Sequence, residues 1–230
     1  MRRILPLLLS LFLLPLPVRS AEQTKYVALT FDDGPSGKYT RALLDGLYDR
    51  GAQATFLLCG YRMEQYPEIT KRILEEGHEI GYHGFSHKSM KEMSRRAIAA
   101  ELMDSQTLMP EGCKPVFLRP PGGFCTDAVR QVAQARQLAI LSWSVDPLDW
   151  ATSDRAAIER KVLGKIQDGD IVLLHDMSES SVQAALDIVD VLLEQDFRFV
   201  TVSQLAKLRQ VRLNPGQIYT SFPPEEKSSK

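Results

Sequence analysis

Short apolar runs alternate along this chain with longer stretches in which apolar residues recur every three or four positions. The runs predict strands over 27–31, 54–58, 79–82, 116–118, 139–143, 171–174 and 197–202. The periodic stretches predict helices over 38–50, 68–76, 94–108, 127–136, 154–166, 182–194 and 203–209. Leu43, Leu44, Leu47 and Tyr48 share a face of the first helix, and Gly51 stops it. Pro67 opens the second helix and Gly77 closes it. Strict alternation of this kind favours a parallel sheet, either a barrel or a doubly wound sheet.

The polar residues choose between them. Asp32, His83, Arg119, Asp146 and His175 each follow a different apolar run. A barrel gathers the C-terminal ends of all its strands at one face, whereas a doubly wound sheet gathers them only at its switch point. The expected fold is therefore α/β: a distorted (β/α) barrel of seven or eight strands in a single catalytic domain, 21–212. Distortion is expected because about 190 residues is short for eight full units. Beyond it, Asn214-Pro215-Gly216 and Ser221-Phe222-Pro223-Pro224 predict an irregular tail over 213–230.

The first twenty residues stand apart. Arg2-Arg3 precede an apolar run from Ile4 to Leu16, and Val18-Arg19-Ser20-Ala21 supplies small residues suited to cleavage. This predicts a secretory signal peptide over 1–20 and a secreted or wall-associated product. An uncleaved anchor is the alternative, but the run is short and broken by Pro6, Pro15 and Pro17, so stable membrane insertion is not expected. Losing Arg2, Arg3 and Arg19 takes the basic count from 28 to 25 against 29 acidic residues, a net charge of about −4. With no basic cluster, nucleic acid is not an expected partner. Three cysteines, Cys59, Cys113 and Cys125, make no disulfide framework and leave at least one unpaired.

The chemistry starts at Thr30-Phe31-Asp32-Asp33-Gly34-Pro35. Two adjacent carboxylates at a strand end repel and need a cation, a shared proton or good solvation. Because successive strand side chains diverge, one can ligate a metal while the other faces a water on it. A solvated surface turn fits these residues equally well. His83-Gly84-Phe85-Ser86-His87 places two histidines four apart, able to grip one cation or to lie exposed on a loop. Two histidines plus Asp33 would form a triad with open positions, leaving Asp32 as the base. Such ligands accept zinc, cobalt, nickel, iron or manganese.

Thr30-Phe31-Asp32-Asp33-Gly34-Pro35 followed by His83-x-x-x-His87 resembles the polysaccharide deacetylases of carbohydrate esterase family four. Arg119-Pro120-Pro121-Gly122, Asp146-Pro147-Leu148-Asp149-Trp150 and Leu173-Leu174-His175 resemble the family's later motifs, in family order over roughly 26–210. The resemblance implies that Asp33, His83 and His87 hold one divalent metal and that Asp32 is the base, paired with Arg119. It implies that His175 is the acid, oriented by Asp149, and that a backbone N–H after Pro121, at Gly122, meets the oxyanion. Trp150 and Leu173 would wall an acetyl pocket, with ordinary core packing as the alternative.

Two positions depart from the family pattern. Gly84 stands where a Ser or Thr hydroxyl usually supports the loop, and Gly122 where an aromatic residue is frequent. The implied partner is an acetylated polysaccharide. The implied activity is removal of N-acetyl groups from N-acetylglucosamine units of peptidoglycan. Alternatives are a chitooligosaccharide or sporulation-type deacetylase, an acetyl-xylan esterase, or an inactive carbohydrate-binding relative.

Overall fold

A computed structural model describes residues 24–225. The expected leader over 1–20 lies outside them. The strands are β1 (Lys25–Asp32), β2 (Thr55–Leu58), β3 (Glu79–Tyr82), β4 (Phe117–Leu118), β5 (Ala139–Leu141), β6 (Ile171–His175), β7 (Phe197–Phe199) and β8 (Ile218–Tyr219). The helices are α1 (Tyr39–Asp49), α2 (Gly60–Gln65), α3 (Pro67–Glu75), α4 (Arg95–Gln106), α5 (Asp127–Ala135), α6 (Arg155–Leu163), α7 (Glu179–Glu194) and α8 (Val202–Leu208). Several helices begin where a side chain replaces a missing backbone acceptor. Ser94, Thr126, Asp154 and Ser178 each accept an amide hydrogen bond at an N-cap, and Thr201 with Gln204 forms a reciprocal capping box. No helix among the described residues is long and apolar enough to cross a membrane.

The sheet is parallel, with strand order β6-β1-β2-β3-β4-β5-β8, and β7 pairs with the first half of β1. Its two ends approach through single bridges, Val145 with Val172 and Asp170 with Ser221, instead of a full ladder. The result is the expected distorted (β/α) barrel, a curled sheet left incompletely closed. The register levels the strand ends. Asp32 pairs across to His175 on β6 and to Leu57 on β2. Leu58, Tyr82, Leu118 and Ile140 form one continuous row. His83 and Arg119 therefore emerge side by side from the next row, beside the end of β1.

Apolar residues line both faces of the sheet. Phe31, Phe56, Leu58 and Val172 pack against α1 and α7 through Leu43, Leu47, Val189 and Leu192. Leu57, Phe117, Leu141 and Ile171 pack with Val202, Leu205 and Phe222. At about 25 cal/mol per Å² of apolar surface, these layers are the main stabilising term.

Residues 213–225 are not simply an irregular tail, and the rest of the expected tail lies outside the described residues. Ile218–Tyr219 extends the sheet beside β5, Phe222 is buried, and its ring stacks on Tyr219 at 5.4 Å. Two strand residues between Gly216 and Ser221 carry too little periodicity to reveal a strand; the ladder offered by β5 supplies the order. Helix α2, absent from the sequence expectation, is also short, at 6 residues. Truncating Phe222 to Ala should cost about 3–5 kcal/mol of stability, the range for large buried aromatics. A urea titration in which Phe222→Ala and the parent unfold at the same midpoint would show that this segment does not support the barrel.

Candidate active site

At the C-terminal end of the strands lies a cavity of about 420 Å³, lined by Asp33, His83, His87, Gly122, Gly123, Trp143, Asp146, Trp150, Leu173 and His175. Asp32 sits just beneath it, almost fully buried, with its Oδ2 3.8 Å from His83 Nε2. The Asp32 carboxylate is organised by Arg119, which is wholly buried. Its Nη1 donates to Asp32 Oδ1 at 2.7 Å and to Thr30 Oγ1 at 2.8 Å, and its Nη2 donates to the Ser142 carbonyl at 2.8 Å. Nε reaches the Leu141 carbonyl at 3.3 Å. A buried guanidinium needs this many acceptors, and Asp32 gains a fixed orientation with one oxygen left toward the cavity.

Asp33 turns away from Asp32 by adopting φ 73°, a left-handed conformation that Asp tolerates better than most residues. Its Oδ1 lies 3.2 Å from His83 Nε2 and 2.9 Å from His87 Nε2. Burial opposes ionisation of Asp33, but the two imidazoles outweigh it and hold the carboxyl well below the usual range. The pairing with Asp33 in turn raises the pKa of His87. His83 Nδ1 is 2.7 Å from the Arg119 carbonyl, which can only accept, so Nδ1 carries the hydrogen. In the neutral ring, Nε2 then presents a lone pair to Asp33. Asp33 Oδ1 is buried, and the approaches of the two ring nitrogens do not have hydrogen-bond geometry. Three electron-pair donors within 4.8 Å of one another, one a buried carboxylate oxygen without a hydrogen bond, are a donor set suited to a divalent cation.

His175, at the end of β6, is held twice by Asp149. Its Nδ1 is 2.8 Å from Asp149 Oδ1, and its backbone N–H donates to Asp149 Oδ2 at 2.9 Å. Burial would lower the His175 pKa, but the Asp149 carboxylate, aided by Asp32 and Asp33, raises it to about 9. Asp149 is presented by the turn Asp146-Pro147-Leu148, in which the Leu148 N–H donates to Asp146 Oδ1 at 2.8 Å and Leu148 takes φ 56°. Leu173 lines the cavity as a buried strand residue. Trp150 is 67% exposed on the cavity wall, so it is not a core residue. Pro121 is buried, and Gly122 brings its backbone to the wall with φ 72°.

Its apolar surroundings predict Trp143 inside a strand, and the structure places it outside one. β5 ends at Leu141, because its neighbours β4 and β8 offer only two residues each, and the freed Trp143 joins the wall with Arg119 5.6 Å from its ring. Asp176 carries no signal of its own in the sequence. Fully buried, it has its carboxyl pushed up to about 7 by burial, which the Thr40 hydroxyl bond only partly offsets. Its side chain occupies the space over Gly34, where a Cβ would lie 2.5 Å from Oδ1. Gly34 therefore closes the Asp-Asp turn for lack of room, not only for flexibility. The three cysteines are unpaired, and burial with nearby Asp33 and Asp32 raises the Cys59 thiol, making it inert.

A family model described as polysaccharide deacetylase matches residues 19–141. The chain belongs to the polysaccharide deacetylase family. A peptidoglycan-N-acetylglucosamine deacetylase of Bacillus cereus is 38% identical over 191 residues, covering 80% of this chain and 90% of that relative. A chitooligosaccharide deacetylase of Sinorhizobium fredii is 31% identical over 208 residues, covering 89% and 94%. The solved structure of a family 4 acetyl xylan esterase from Clostridium thermocellum, in complex with a cobalt ion, has a TM-score of 0.81. It is 31% identical and covers 86% of this chain and 100% of that one. The curled barrel of this chain is thus the polysaccharide deacetylase fold.

The Asp149–His175 pair has a sign that can be measured. With the folded pKa raised from 6.5 to about 9, its stabilisation is complete below the ordinary histidine pKa and lost as pH rises through about 9. NMR titration should find the His175 imidazolium deprotonating near pH 9, and Asp149→Asn should lower that midpoint by about 1–3 units. An unmoved midpoint would remove Asp149 as the cause.

Proposed function

We propose that this chain removes N-acetyl groups from N-acetylglucosamine units of peptidoglycan after export. Asp33, His83 and His87 would hold one divalent cation, zinc by the hydrolytic chemistry. The observation that carries the reading is the placing of two differently partnered groups around that donor set. Asp32 is a carboxylate fixed by a guanidinium, and His175 is an imidazole kept protonated by a carboxylate. A carboxylate oriented by Arg119 and an imidazole oriented by Asp149 beside one cavity suit a base and an acid for amide hydrolysis.

A divalent cation bound there would supply Lewis acidity to polarise the acetamide carbonyl and acidify a water. Asp32 takes the proton of the attacking water at Oδ2, because Oδ1 is engaged by Arg119. The Gly122 N–H donates to the developing oxyanion. His175 delivers its proton to the departing nitrogen as the carbon–nitrogen bond breaks, and Asp149 stabilises its charged form until then. Acetate and a free amine leave. Leu173 and Trp150 wall the space for the acetyl methyl. The Bacillus cereus relative supports peptidoglycan as substrate, and the Sinorhizobium fredii relative supports chitooligosaccharides as the second reading.

Acetate should be released from N-acetylated peptidoglycan by the purified protein, abolished by chelation and restored by zinc. Release only from chitooligosaccharides would favour the second reading, and release from neither would sink the deacetylase assignment. Asp32→Asn should keep its metal and lose at least a hundredfold in turnover, about the lower bound for a positioned base. Full turnover in that variant would remove Asp32 from the role.

A further inference from the structure

His83 and His87 sit at the two ends of one loop, yet they are held very differently. His83 is buried, and its Nδ1 is fixed by the Arg119 carbonyl. His87 has 42% of its side chain exposed and takes φ 56°, a left-handed conformation that a β-substituted residue adopts only at a cost. Its placement over Asp33 therefore depends on the backbone between the two rings.

That backbone is clamped from both sides. From α2, the N–H groups of Gly60 and Tyr61 donate to the carbonyls of Gly84 and Phe85 at 2.9 and 3.0 Å. From α4, Glu101 reaches up with its half-buried carboxylate. Its Oε2 accepts from the N–H groups of Phe85 and Ser86 at 2.7 and 2.8 Å, and its Oε1 accepts from Ser86 Oγ at 2.8 Å. Three short bonds to one carboxylate fix the direction of two successive peptide planes. Gly84 leaves the room for this approach, since a Cβ there would stand 3.3 Å from Glu101 Oε2 and 3.1 Å from Met90 Cε. The loop lacks a hydroxyl at position 84, so its rigidity comes from a residue some fifteen positions away in sequence.

We infer that Glu101 is a positioning residue of the metal centre, setting His87 against Asp33 through the Phe85-Ser86 peptides. This rests on Asp33, His83 and His87 being the ligands. Glu101 touches neither ligand nor substrate. Groups that orient metal ligands typically change affinity by about 10–100-fold when removed. Geometry rather than charge makes the role specific. Glutamine keeps the length and an oxygen for the two amides, and its NH2 can donate to the Ser86 hydroxyl. Aspartate keeps the charge but withdraws it from the loop.

The test is the Kd for zinc and for cobalt, each titrated against a chromophoric chelator, in the full chain and in Glu101→Ala, Glu101→Gln and Glu101→Asp. Kd should rise about 10–100-fold in Glu101→Ala, stay within a few-fold in Glu101→Gln, and rise more in Glu101→Asp than in Glu101→Gln. Equal Kd in Glu101→Ala and the parent would overturn the inference. So would tighter binding in Glu101→Asp than in Glu101→Gln, which would mark a through-space charge effect. If Glu101→Ala does not fold by circular dichroism, Glu101→Asp and Ser86→Ala carry the test, and unchanged Kd in both overturns it. A parent chain that binds neither metal would bring down the ligand assignment, and this inference with it.

Discussion

The buried Arg119–Asp32 contact is the constraint around which this molecule is arranged. A guanidinium with no exposure must have its donors satisfied, and here they are met by Asp32, Thr30 and the Leu141 and Ser142 carbonyls. Those acceptors come from β1 and from the end of β5, while Arg119 itself follows β4. One side chain thus ties together three strand ends of a sheet that is incompletely closed. Removing it would leave a buried carboxylate uncompensated, a loss of about 3–5 kcal/mol for such pairs. The Arg119 carbonyl also receives His83 Nδ1, so the same residue sets the tautomer of a candidate ligand.

Around this contact the backbone is held in conformations that most residues avoid. Asp33, His87 and Leu148 all have positive φ without being glycine, and each lies at or beside the cavity. Residues in such regions cost about 1–3 kcal/mol each and persist only when their surroundings over-determine them. The surroundings here are specific. Ser36, Thr40 and Asp176 form a buried polar knot under the turn that carries Asp33. Glu101 and the first turn of α2 hold the loop that carries His87. Asp146 closes the turn that carries Leu148 and Asp149. The apolar layers on both faces of the sheet supply the stability against which this strain is set.

The alternation of runs and periodic stretches, together with the polar residues that follow the runs, is enough to read the α/β barrel and most of its elements. It also located the strand ends that carry Asp32, His83, Arg119 and His175, because hydrophobic period and the polarity switch at a strand end are local properties of the chain. Trp143 was misread as a strand residue because ladder length depends on the neighbouring strand. The two-residue strand Ile218–Tyr219 and helix α2 were too short to show a period.

What the sequence determined by itself was the set of chemical groups and the side of the barrel on which they emerge. Only the tertiary structure decided which groups meet. It brought Arg119 to Asp32 across 87 positions, as the family resemblance implied, and it alone brought Glu101 to Ser86 and Asp176 over Gly34. It also exposed Trp150 while burying Leu173, two residues that the sequence could not tell apart. Burial and long-range hydrogen bonding depend on how the sheet curls and which helix lies over which strand end. No local window of the chain contains that information.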